Sequence, residues 1–109
     1  MGLLKRFRLW RRWRVSDLFS SMGDVPERLR PRRAALVSSS IGEKWVIFEC
    51  PCERGHRVML NLDSEHHPHW RVGSKAPLTL SPSVDEISEV GHCHYFIRDG
   101  RVRWVERTE

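Results

Sequence analysis

The sequence predicts a mostly β fold: a compact single-domain sandwich or rolled antiparallel sheet behind a basic N-terminal extension, which is helical if its apolar residues form one stripe. Three observations carry that prediction. Six or seven short runs are rich in β-branched and aromatic residues, turn residues separate them at close intervals, and Asp99 with Gly100 forms a two-residue hairpin signal. A chain of 109 residues is the common size of one domain, so one modest core is expected, and bound metal would add useful stability at this size.

The elements follow in order. In MGLLKRFRLWRRWRV, Leu3, Leu4, Phe7, Trp10 and Trp13 would share one helical face, with Lys5, Arg8, Arg11 and Arg12 around it. Two readings of this segment stay open: a basic amphipathic helix for an anionic surface, or a solvated extension whose Trp residues cap the domain edge. DVPERLRPRR, residues 24–33, reads as a connector because Pro26 and Pro31 leave room for at most one short helical turn. The predicted division is therefore residues 1–33 as extension and connector, and 34–109 as the β domain.

Within that domain, residues 34–40 and KWVIFEC, residues 44–50, read as two strands of a hairpin turning at Ile41 and Gly42. A turn at 53–55 leads to HRVMLNL, residues 56–62, where Val58, Leu60 and Leu62 alternate on one face. Residues 70–72, 78–80, 93–98 and 101–105 complete the predicted strands. Trp45, Trp70 and Trp104 lie in or beside strands and suit core or edge packing better than base stacking.

Charge is concentrated at one end. Residues 1–33 hold ten Lys or Arg against three acidic residues, leaving nine basic against eleven acidic residues in the remainder. The excess of +5 thus belongs to the N-terminal segment, which weakens a nucleic-acid role for the domain and confines any such contact to residues 1–14. No apolar run reaches the length of a transmembrane span. Three cysteines do not make a disulfide framework, and the N-terminus lacks a signal peptide's continuous apolar region, so the cytosol is the expected compartment.

Those cysteines carry the chemistry. Cys50 and Cys52 flank Pro51 at a strand end, where alternation would aim both thiols to one side, and Cys93 is a third zinc ligand in waiting. The fourth ligand is open among His56, His92 and His94. On a strand through residues 92–97, Cys93 faces one way while His92 and His94 face the other. His94 is then free to act as general base for a hydroxyl, with Ser81 and Ser83 of TLSPSV nearest in sequence. His66, His67 and His69 read as part of an exposed loop.

FECPC (48–52), GHRVMLNL (55–62), HPHW (67–70), TLSPSV (79–84) and CHYFIRDGRVRW (93–104), in that order, resemble the small bacterial and phage family catalogued as domain of unknown function 6527, over roughly residues 44–105. The resemblance implies a place beside genes for a bacterial ubiquitin-like modifier and its E1-like and E2-like enzymes in defence operons, and a role as a modifier-processing peptidase. It implies Ser83 as nucleophile and His94 as base, with Cys50, Cys52 and Cys93 holding a structural metal; His56 completes the expected zinc set. Two alternatives remain: Cys93 as nucleophile with His92 or His94, and a non-catalytic zinc-binding adaptor that docks through the basic N-terminus.

Overall fold

The computed structural model describes residues 11–105. They form nine strands: β1 (Arg14–Phe19), β2 (Arg33–Ser39), β3 (Gly42–Glu49), β4 (Arg57–Asn61), β5 (Arg71–Lys75), β6 (Leu78–Ser81), β7 (Val84–Ser88), β8 (Gly91–Arg98) and β9 (Arg101–Trp104). A short 3-10 turn spans Met22–Asp24, capped by the Ser21 hydroxyl accepting from the Gly23 N–H. Among the described residues, no helix is long and apolar enough to cross a membrane.

The strands make three sheets: β1-β2-β3-β4, β5-β6 and β7-β8-β9. Every pairing is antiparallel except β1 with β2, which is parallel. The predicted hairpin of residues 34–50 is present, with Val46 opposite Leu36. At the predicted β8–β9 turn, Asp99 and Gly100 both adopt positive φ, at 52° and 75°, the backbone that matches a two-residue loop to the twist of its strands.

The main core draws on all three sheets. Leu36, Val46, Phe48, Val58 and Leu60 meet Leu78, Leu80, Val84, Tyr95 and Ile97. A second cluster covers the opposite face of β2 and β3, where Ala35, Val37 and Ile47 pack under Phe19, Met22, Val25, Leu29 and Trp45. This is why β2 and β3 read as nearly continuous apolar runs: both of their faces are covered, one by the other sheets and one by the segment before β2.

Two strands were not anticipated from sequence. β1 lies ahead of the connector expected at residues 24–33, within the stretch assigned to the basic extension, and the Trp13 before it is a core residue, its ring meeting Phe48 edge-on at 5.3 Å. The Trp13 N–H donates to the Gly100 carbonyl, and the Trp13 carbonyl accepts from the Leu78 N–H. Gly100 is required there, since a Cβ would sit 2.6 Å from the Arg12 Cβ. Most of the expected N-terminal helix, residues 1–10, lies outside the described residues. β7 is the second addition, and it carries part of the site below.

Candidate functional site: a thiol–imidazole cluster and a Ser–His pair on one strand

Strand β8 alternates cleanly. Cys93, Tyr95 and Ile97 are buried, while His92, His94, Phe96 and Arg98 turn outward. The two candidate centres therefore sit back to back on neighbouring residues.

On the inner side, Cys50, Cys52, His56 and Cys93 present ligand atoms that all lie within 4.8 Å of one another. Strand alternation does not bring Cys50 and Cys52 together, because β3 ends at Glu49. A turn does so instead: the Cys50 carbonyl accepts from the Glu53 N–H, and the Cys50 N–H donates to the His56 carbonyl. That loop returns His56 against β8, with Nε2 3.9 Å from the Cys93 sulfur. Of the three imidazoles open as a fourth ligand, His56 belongs to the group, and His92 and His94 face away.

The donor set fits a metal. Three sulfurs and one imidazole suit tetrahedral zinc, whose ligands at about 2.0–2.3 Å stand roughly 3.5–3.8 Å apart, a small contraction from the spacing here. An orphaned carboxylate supports this. Glu86 of β7 sits opposite Cys93 in the ladder, and its Oε2 is buried without a hydrogen bond, 4.0 Å from His56 Nδ1. A carboxylate behind the second nitrogen of a histidine is the arrangement that orients metal-binding imidazoles. Burial pushes the Cys50 thiol up to about 12 and raises Cys93, so both favour the neutral form until a cation offsets the desolvation. The Tyr95 hydroxyl lies 3.9 Å from the Cys50 sulfur, and burial raises its pKa as well. Cys50 and His56 also line a cleft of about 830 Å³.

On the outer side, Ser83 Oγ stands 3.0 Å from His94 Nε2. The chain leaves β6, passes Pro82 and enters β7 at Val84, so Ser83 lies diagonally across from His94, and Asp85 lies directly opposite it. The Trp70 indole N–H donates to the Ser83 carbonyl at 3.1 Å, tying the serine backbone to the residue before β5. Asp85 Oδ1 bonds His92 Nε2, and the His92 ring stacks beside His94 at 6.3 Å. Ser81, the other hydroxyl weighed from sequence, ends β6 and is exposed.

Cys93 with His94 or His92 does not form a pair, because the thiol points into the cluster and both imidazoles point out. The His66, His67 and His69 segment forms a loop between β4 and β5; His66 bonds Asp63 within it. Sequence reasoning missed Trp70, Asp85 and Glu86 as parts of the site. For Asp85 and Glu86 the local signal was the acidic pair of VDEIS, which lacks a strand's apolar alternation.

A family model described as bacterial ubiquitination-like system serine protease (BubE) matches residues 21–105, a span that takes in both centres. No curated protein and no solved structure matches the chain.

Proposed function

The chain belongs to the family of bacterial ubiquitination-like system serine proteases, and from that premise we propose that it is a serine-type peptidase that matures or removes the ubiquitin-like modifier of such a pathway, alongside its E1-like and E2-like enzymes. The observation that carries the assignment is the 3.0 Å contact between Ser83 Oγ and His94 Nε2. A nucleophilic hydroxyl needs a base within hydrogen-bond reach, and this pair satisfies it.

In this reading Ser83 Oγ attacks the carbonyl carbon of the scissile amide as its proton passes to His94 Nε2. His94 then gives that proton to the leaving nitrogen as the C–N bond breaks, leaving an ester on Ser83. Water attacks the ester with His94 as base, releasing the carboxylate and restoring the hydroxyl. Asp85, beside His92 and opposite His94, places negative charge where it favours the transient imidazolium. Trp70 holds the Ser83 backbone in place during these steps.

Cys50, Cys52, His56 and Cys93 are proposed to hold zinc, which would serve as a structural brace. Held there, it would tie the turn after β3 to β8, the strand on which His94 stands.

The test pairs a fluorophosphonate probe with a modifier extended past its C-terminus. Labelling and cleavage are expected for the native chain and for neither Ser83→Ala nor, at a comparable rate, His94→Ala. Cleavage that survives Ser83→Ala would sink the assignment; stoichiometric metal with neither labelling nor cleavage would point to the non-catalytic adaptor.

A further inference from the structure

The outward face of the β7–β9 sheet continues past Ser83 and His94, and its chemistry changes along the way. Beyond His94 on β8 come Phe96 and Arg98, and the ladder sets Arg103 opposite Phe96 and Arg101 opposite Arg98. On β9 the alternate residues lie on the other side, Val102 against the core and the exposed Trp104 beside the Tyr95 ring. Arg101 and Arg103 are left exposed on the same side as His94.

Among the described residues, this end of the face is dominated by positive charge. Arg98 and Arg101 stand directly across from each other, a like-charge pairing that costs the sheet stability. Arg11 reaches the same end, lining with Gly100 and Arg101 a cleft of about 480 Å³. Asp99 at the hairpin tip is already 3.5 Å from Arg12. Among the described residues, Arg11, Arg98, Arg101 and Arg103 form no ion pair with a carboxylate. A fold gains nothing from such a cluster, whereas an anionic ligand does.

We propose that this strip docks an acidic, extended segment of the protein substrate beside the cleaved bond, its carboxylates pairing with Arg98, Arg101 and Arg103. The proposal rests on the reading of Ser83 and His94 as the reacting pair, and adds the substrate chemistry they meet. Same-face residues of a strand recur about every 6.6 Å, which places Phe96 and Arg98 roughly 7 and 13 Å beyond His94, a span of two to four residues of extended peptide. Nucleic acid fits less well. The Arg98 guanidinium lies over the Phe96 ring at 4.3 Å, so the surface on which a base would stack is already covered.

The experiment uses two fluorogenic octapeptides, identical except for two Glu or two Lys placed on either side of the cleaved bond. The native chain is expected to prefer the Glu peptide about tenfold in kcat/KM, from three exposed ion pairs each worth roughly a factor of two. The preference should reside in KM and vanish in 0.5 M salt. Combined Arg98→Glu, Arg101→Glu and Arg103→Glu should invert it; Arg103→Glu alone, the fallback if the triple variant does not fold, should reduce it about twofold. An unchanged ratio overturns the proposal. So does duplex DNA whose binding is lost in the triple variant while the peptide ratio stays fixed. If neither peptide is cleaved and the fluorophosphonate leaves Ser83 unlabelled, the reacting-pair reading has failed. Anisotropy of the same peptides carrying a dye then decides the strip independently: charge-dependent binding lost in the variants supports it, and equal binding of both peptides overturns it.

Discussion

The inner and outer faces of β8 do opposite work from adjacent residues. Inward, Cys93 and Tyr95 are almost wholly buried among thiols and core side chains, so a change there alters packing, metal binding and the fold together. Outward, His94 and Phe96 are partly exposed, and they touch Ser83 and Arg98. On the proposed reading, strand alternation separates stability from chemistry at a distance of one residue. Consecutive residues can answer to different demands because a pleated strand points them in opposite directions.

Substitution on each face tests how complete that separation is. Ser83→Ala should lower hydrolysis by a factor on the order of 10^4 or more while shifting the melting temperature by no more than about 3 °C, as an outward residue without core contacts allows. Cys93→Ser should instead release the metal and cost on the order of 4 kcal/mol, read by denaturant unfolding with metal analysis. If Ser83→Ala melted the protein, or Cys93→Ser kept its metal and stability, the two faces would not be separate.

Glu86→Gln sharpens the comparison from within the inner face. Removing the carboxylate charge behind His56 should weaken zinc about 10–100-fold in a chelator competition, with little change in metal-free stability. An unchanged affinity would make Glu86 a bystander. Trp70→Phe does the same on the outer face, keeping most of the ring while deleting the bond to the Ser83 carbonyl. A fall of about tenfold in kcat with KM nearly constant is expected, because the bond positions the nucleophile and does not bind substrate.

The remaining effect is on pH dependence, and it belongs to the inner face. Burial raises the Cys50 pKa from 9.0 to about 12, so the folded metal-free chain holds a proton that the unfolded chain releases. The resulting stabilisation is fully present below pH 9 and is lost as pH rises towards 12. Metal-free protein should therefore lose denaturant resistance across that window, and zinc-loaded protein less, since its thiols are already deprotonated. Identical profiles with and without zinc would place the metal elsewhere.

Much of this was legible in the residues alone. The mostly β class, the hairpin of residues 34–50, the Asp99-Gly100 turn and the opposed faces of residues 92–97 all follow from local rules: side-chain alternation and turn conformation need no knowledge of distant contacts. β7 was hidden because its inward positions are Val84, Glu86 and Ser88, and a polar residue facing inward breaks the expected apolar alternation. β1 was hidden because only Val15 and Phe19 of Arg14–Phe19 are partly covered, so no apolar face marks it as a strand until its parallel partner is known.

By itself, then, the sequence determined the strands whose apolar residues alternate or run continuously, and that Cys93 and His94 point apart, because both depend on neighbours two residues away. Tertiary structure alone decided that His56 and not His92 joins the thiols, that Glu86 stands behind it, that Trp13 fills the core and that Trp70 secures Ser83. Those contacts join residues 13 to 87 positions apart, and only the packing of the three sheets brings such distant positions within bonding range.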